Sequence, residues 1–226
     1  MNVLHLSDTH TWHKQLRLPK NIDMVIHTGD ATNYRNPYQN ESEMHEFLEW
    51  YSGINIKHKI FVAGNHDTSI EKGLVTHNQI RDMGITYLHN SMVTINGINI
   101  WGSPYTPNFG RWAFMKSRQK INAVWDTIPD NIDIVATHGP PKGILDLTIN
   151  HQNVCTQCGD SALFKAFRRV KPAYALFGHI HNCKNVYNTG VLHINDLETI
   201  FSNASCCTDG KWGNITSHGN VLNIQI

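Results

Sequence analysis

The sequence lacks any dense run of one charge. Its 19 Lys and Arg against 18 Asp and Glu leave a formal net charge of +1, so nothing argues for stable nucleic-acid binding or for lying on an anionic membrane. Nor does any window approach the ~18 apolar residues of a membrane span. The opening MNVLHLSDTH lacks the basic stretch and apolar core of a secretory leader, which makes a cytoplasmic location the expectation. Cysteine is sparse and odd in number: Cys155, Cys158, Cys183, Cys206 and Cys207 suit reduced thiols better than a secreted disulfide framework. No repeat, linker or low-complexity tract divides the chain. Its 226 residues suit one domain, 1–226, long enough to bury a core without staples. Histidine, by contrast, is abundant at 15 copies, and position must decide which of these bind anything.

Short β-branched runs alternate with helical patterns. Val3 to Leu6, Met24 to His27, Ile60 to Ala63, Ile132 to Ala136 and Tyr174 to Phe177 read as buried strands, each followed by a polar cluster. Met44, Phe47, Leu48 and Tyr51 recur at helical spacing after an Asn40 cap with Glu43 at the third position, and Gly53 closes that helix. Ile121, Val124, Trp125 and Ile128 repeat the pattern; so do Leu163, Phe167 and Val170, between an Asp160 cap and Pro172. Asn96-Gly97 between alternating stretches marks a hairpin. From Asn185 onward, short strands separated by Thr189-Gly190, Asn195-Asp196 and Asp209-Gly210 suggest a meander of a second sheet. The expected class is α/β, layered, with mixed sheets and polar clusters gathered at strand ends.

Those clusters carry the chemistry. Asp8-Thr9-His10 places a carboxylate and an imidazole on one side of a strand end, a pair suited to a borderline metal. Thr28-Gly29-Asp30 adds a carboxylate, with Gly29 permitting close backbone approach. In Gly64-Asn65-His66-Asp67, Asn65 offers a neutral oxygen ligand, His66 can donate to a phosphate oxygen and Asp67 can orient it. His138, in Thr137-His138-Gly139-Pro140-Pro141, and the pair His179 and His181 complete the set. Each cluster alone reads as a turn or a surface pair, but five in succession, each directly after an apolar strand, point to a metal centre. Asp8, His10, Asp30, Asn65, His138, His179 and His181 are too many for one tetrahedral ion and enough for two that share a carboxylate.

In their order and form these blocks resemble the calcineurin-like metallophosphoesterase superfamily. His27-Thr28-Gly29-Asp30, Gly102-Ser103-Pro104-Tyr105-Thr106-Pro107 and Asn203-Ala204-Ser205 further resemble its metallophosphoesterase-domain (MPPED-type) subgroup, related to class III cyclic-nucleotide phosphodiesterases. The resemblance implies a four-layer α/β/β/α sandwich and two divalent ions, Mn first, with Fe, Zn, Co or Ni as alternatives. Asp8, His10 and His181 would hold one ion, Asn65, His138 and His179 the other, and Asp30 would bridge. Some mammalian members carry glycine at the first histidine of Gly-His-x-His, a change linked to weak activity; His179 is retained here, implying a complete second site.

The implied reaction is hydrolysis of a small phosphodiester, a cyclic nucleotide or similar, by in-line attack of a metal-bridging hydroxide. His66 would stabilise charge or protonate the leaving oxygen, and Asp67 would fix its orientation. A phosphomonoesterase, such as a nucleotidase or protein phosphatase, can use the same centre; a non-catalytic protein-binding scaffold is the reading from another class. Tyr105, Arg111 and Trp112 can offer an aromatic face and a cation to a nucleotide, against the alternative that Trp112 and Phe114 only anchor a long loop. Asn203 is placed near the metals by resemblance alone. Cys155 and Cys158 look like half a zinc ribbon or a redox pair, but Cys206-Cys207 make a poor second half, and ordinary thiols are the expectation.

Overall fold

The computed structural model describes residues 1–150, 152–208 and 213–225. Alternation inside the short apolar runs sets the layering, because side chains two apart share a face of a sheet. In β1 (Asn2–Leu6) Val3 faces one core while Leu4 and Leu6 face another. β2 (Met24–His27) divides in the same way, Met24 and Ile26 from Val25. Together with β3 (His58–Phe61) and β4 (Thr86–Tyr87) these strands run parallel in a sheet whose other edge is β15 (Asn220–Asn223), antiparallel to β1.

The second sheet has the order β13 (Gly190–Ile194), β14 (Thr199–Asn203), β12 (Tyr174–Phe177), β9 (Ile134–Thr137), β6 (Ile98–Ser103) and β5 (Ser91–Ile95). Its four inner strands are parallel, and its edges are antiparallel. β5 and β6 form the hairpin that Asn96-Gly97 announces, with Ile95 opposite Ile98. Two small ribbons, β7 (Thr106–Pro107) with β8 (Met115–Lys116) and β10 (Leu147–Ile149) with β11 (Cys155–Gln157), lie outside the sheets.

Val3, Met24, Ile26 and Ile60 of the first sheet meet Ile100, Ile134, Ala136 and Leu176 of the second in one buried core. The outer face of the first sheet is covered by α1 (Pro37–Gly53), the single turn α2 (Thr68–Glu71) and α3 (His77–Asp82) through Met44, Phe47, Leu48, Tyr51, Ile70 and Ile80. α4 (Asn122–Trp125) and α5 (Ser161–Val170) cover the second with Val124, Trp125, Leu163 and Phe167. This is the α/β/β/α order that the resemblance implied. No helix among the described residues is long and apolar enough to cross a membrane.

Two local expectations change. α1 is capped by Asn36, whose Oδ1 accepts from the Tyr38 and Gln39 amides at 3.0 and 3.4 Å, with Pro37 at the first helical position. Asn40 lies inside the helix, buried, its side chain committed to tertiary hydrogen bonds instead. The C-terminal strands are not all one meander: β13 and β14 pair in the second sheet, but β15 crosses to β1. Leu222 and Ile224 drive that crossing by filling the core between the sheets. The expected turn at Asp209-Gly210 lies outside the described residues.

The parallel strands of both sheets deliver their C-terminal ends to one rim. There the sheets are tied: Ser7, just past β1, pairs with Ser205, just past β14, and the Ser7 amide donates to the Ala204 carbonyl at 3.1 Å.

Candidate metal centre

The first sheet brings Asp8, His10, Asp30 and Asn65 to the rim, and the second brings His138, His179 and His181, each within a few residues of a strand end. Asp8, His10, Asp30 and His179 have φ of +50, +41, +54 and +68°. Left-handed backbone at four side-chain-bearing positions is unfavourable and is held in place by the surrounding packing. Gly29, with φ +104°, abuts Gly64 so closely that a Cβ on Gly29 would lie 2.6 Å from the Gly64 nitrogen. Gly64 is confined in turn by Asp30 and His138, whose atoms would lie within 2.7 Å of a Cβ there.

Ligand-type atoms gather into three groups, each within 4.8 Å: Asp8 with His10 and His181, His10 with Asp30 and His66, and Asp30 with His138 and His179. Asp8, His10 and His138 are backed by further hydrogen bonds. The Asp8 carboxylate accepts from the His179 amide at 2.8 Å and Ser205 Oγ at 2.9 Å, and its Oδ1 stands 3.0 Å from His181 Nε2. His10 Nδ1 donates to the Thr32 carbonyl at 3.1 Å and His138 Nδ1 to the Thr28 carbonyl at 2.8 Å. A carbonyl can only accept, so both rings carry their proton on Nδ1 and turn Nε2 inward, as metal-binding histidines do.

That tautomer tests whether cations fit. Nε2 of His138 faces Asn65 Oδ1 at 2.9 Å and Asp30 Oδ2 at 3.3 Å. A lone pair opposed to two oxygen acceptors requires a cation among them, a proton or a metal ion. Protein electrostatics express the same demand. Burial disfavours charge on His138, yet the adjacent Asp30 carboxylate outweighs it and raises the pKa to about 9. Burial would raise the Asp8 and Asp30 carboxyls too, but His181 beside Asp8 and His138 beside Asp30 hold both below the usual carboxylate range. Burial lowers His10 to about 4 and, with His138, His179 to about 3, keeping them neutral lone-pair donors. Carboxylate, amide and imidazole together suit Mn, Fe, Zn and neighbouring divalent metals.

His66 lies at the edge of this centre, stacked on Trp112 with ring centroids 4.2 Å apart and edge-on to His10 at 4.7 Å. The expectation that Asp67 orients His66 is corrected. Asp67 Oδ2 accepts from the Gly64 and Asp30 amides, and Oδ1 from the Ala31 and Thr32 amides and the Thr32 hydroxyl. With five donors on it, Asp67 secures the backbone around Asp30, while His66 Nδ1 faces the Asn33 carbonyl at 3.3 Å. Burial and the Asp30 charge push the Asp67 carboxyl up to about 7.

The substrate-binding expectations divide. Trp112 lines the roughly 180 Å³ pocket over the ligands, together with Phe109. Tyr105 turns away, its hydroxyl 3.4 Å from His89 Nε2 and its ring under Lys116. Arg111 is exposed, and its carbonyl is held by Arg35. Buried Asn203 is a support: Nδ2 donates to the Ile180 carbonyl at 2.9 Å, and Oδ1 accepts from the Ser205 amide at 3.0 Å. Cys155 opens β11, exposed, and Cys158, just past its end, donates to the Asp146 carbonyl. Sequence reading missed Phe109, which is 56% exposed beside His179; only its place in the loop ahead of Trp112 could have suggested it. It also missed the supports Thr32, Asn33 and Asn40, which carry no signal beyond their polarity. A second groove of about 380 Å³ continues from the pocket, sharing Phe109, His179 and His181 and reaching Arg118 and Thr148.

Comparison with known proteins agrees with this geometry. The family model described as calcineurin-like phosphoesterase matches residues 1–183. The chain is 32% identical over 228 residues to human metallophosphoesterase domain-containing protein 1, covering 90% of this chain and 65% of the human protein. It is 30% identical over 224 residues to a UPF0046 protein of Caenorhabditis elegans, covering 93% of this chain and 71% of that protein. A more distant similarity, 25% over 134 residues, is to the DNA double-strand break repair protein Mre11 of Saccharolobus solfataricus, covering 49% and 35% of the two chains. The chain thus spans less of the human relative, 65%, than the relative spans of it.

Proposed function

The chain belongs to the calcineurin-like phosphoesterase family, and on that premise we propose that it hydrolyses small phosphodiesters, cyclic nucleotides or similar esters, with two divalent metal ions. The observation that carries this reading is the position of Asp30, which belongs to two of the three ligand groups and stands between His10 and His138. Asp8, His10 and His181 would hold one ion and Asn65, His138 and His179 the other, with Asp30 shared; Mn is the first choice. When bound, such ions act as Lewis acids and lower the pKa of water toward about 7. That the ligands come from both sheets supports treating residues 1–226 as one catalytic domain.

The chain's own groups supply the rest. His66 has a ring atom within 4.8 Å of the ligand atoms of His10 and Asp30, a position from which it delivers a proton to the leaving oxygen. As the P–O bond to that oxygen breaks, water supplies the new oxygen on phosphorus, so no side chain need act as nucleophile. Asp67 keeps Asp30 in register. The groove beyond Phe109 gives the second ester arm of a diester a place to lie, which favours diesters over monoesters.

Turnover of bis-p-nitrophenyl phosphate and p-nitrophenyl phosphate under Mn tests the preference. A strong bias to the monoester would replace this reading with a phosphomonoesterase. His66→Ala is expected to lower turnover sharply, leaving a measurable residue, with about two ions still bound per chain; loss of an ion would make His66 a ligand.

A further inference from the structure

With Asp67 fully engaged on the Asp30 backbone, the plane of the His66 ring must be set by something else. Its backbone is well fixed, the amide donating to Asp30 Oδ1 at 2.7 Å and the carbonyl accepting from Thr32 Oγ1 at 3.1 Å and Asn40 Nδ2 at 2.8 Å. The ring itself has one weak polar contact, the 3.3 Å approach of Nδ1 to the Asn33 carbonyl. Its broad contact is the Trp112 indole, 4.2 Å away and inclined by 29°.

Trp112 is in turn held. The Arg35 guanidinium lies over its ring, 4.6 Å from the centroid, and donates through Nε and Nη2 to the Arg111 carbonyl at 3.1 and 2.6 Å. One short segment therefore reaches both flanks of His66: Asn33 offers the carbonyl to Nδ1, and Arg35, two residues on, fixes the indole. We propose that Trp112, clamped by Arg35, is the positioning residue for His66. It does by stacking what a carboxylate partner would do by hydrogen bonding. A stacked indole fixes the plane of the imidazole, and the Asn33 carbonyl holds Nδ1, leaving Nε2 to face the leaving oxygen. The inference rests on the reading of His66 as that proton donor.

The test compares two aryl diesters, one losing p-nitrophenolate and one the more basic phenolate, with the Mn-loaded full chain. Only the phenolate needs much help from an acid. Trp112→Ala is expected to lower kcat about 100-fold on the phenolate ester and about tenfold or less on the other, with KM little changed and Trp112→Phe restoring most of the loss. Arg35→Ala, at an exposed position, should fall in the same pattern by about threefold to tenfold, and it carries the test if Trp112→Ala does not fold. In a His66→Ala background, Trp112→Ala should cost nothing further. Equal loss on both esters, or a further loss without His66, would overturn the positioning role while leaving the hydrolase reading intact. Unchanged turnover of His66→Ala on both esters would instead remove the premise.

Discussion

Asp67→Asn separates a structural role for this carboxylate from a catalytic one. The substitution preserves shape and turns one of two acceptor oxygens into a donor. Its best orientation keeps oxygen toward the three donors on Oδ1, the Ala31 and Thr32 amides and the Thr32 hydroxyl, at 3.1, 3.2 and 2.8 Å. The new NH₂ then opposes the Gly64 and Asp30 amides, formerly bonded at 2.7 and 3.0 Å. Two buried N–H groups without acceptors cost about 1 to 3 kcal/mol each. Removing a buried charge beside Asp30, the repulsion that helps push Asp67 up, returns about 1 kcal/mol or more. A net loss of about 1 to 5 kcal/mol remains, readable as a fall of roughly 2 to 20 °C in Tm.

Because one orphaned amide belongs to Asp30, metal affinity should weaken as well, and saturating Mn should restore kcat to within about threefold. Thermal unfolding, metal titration and kcat at saturating Mn check the three parts. Wild-type stability combined with a kcat loss that metal cannot repair would refute the argument and return Asp67 to direct action on His66.

Gly178→Ala tests the seat of Asp8: a Cβ there would lie 2.0 Å from Asp8 Oδ2 and from Ser7 Oγ. We expect a loss of about 3 kcal/mol or more and about one bound ion per chain instead of two by elemental analysis; two ions with unchanged stability would contradict the placement. His13 sets an acid limit. It is buried against Phe47 and Trp50, neither ring nitrogen has a hydrogen-bond partner among the described residues, and burial lowers its pKa to about 4. The unfolded chain binds that proton below about 6.5, so stability should fall as pH drops from about 6.5 to 4, by about 2 to 3 kcal/mol from this residue. The slope of urea midpoints across that window should lessen in His13→Leu, other buried histidines such as His5 and His27 supplying the rest, and an unchanged slope would count against the buried imidazole.

The candidate ligand set was legible because its spacing is local. A carboxylate or imidazole directly after an apolar run needs only the strand to end there, and the chain supplies that at Asp8, Asp30, Asn65, His138 and His179. The supports were not legible, because their partners are distant in sequence. Asn40 reads as a helix cap, since nothing local reveals that Thr32, His66 and Ser69 converge on it. Asp67 follows His66 in the chain, so adjacency suggested a pairing that the turn forbids; its carboxylate points back to residues 30 to 32. Tyr105 and Arg111 do not line the pocket over the candidate ligands, and a loop sequence does not say which side chains face inward. β15 needed knowledge that β1 would otherwise be an open edge.

The division of ligands between sheets has an energetic consequence. Asp8, His10, Asp30 and Asn65 follow strands of one sheet and His138, His179 and His181 follow strands of the other. Each ligand group with a histidine from the second sheet also contains a carboxylate from the first. Without a cation, the layers are joined at this rim by the Ser7–Ser205 bridge and by hydrogen bonds such as His179 to Asp8 at 2.8 Å. Like-signed groups also face one another there, as Asp30 and Asp67 do. Divalent ions held between Asp8 or Asp30 of the first sheet and the histidines of the second would add attraction across the inter-sheet seam. Metal held there would add to the docking that the core between the sheets already makes, and would help to offset the strain of left-handed backbone at Asp8, His10, Asp30 and His179.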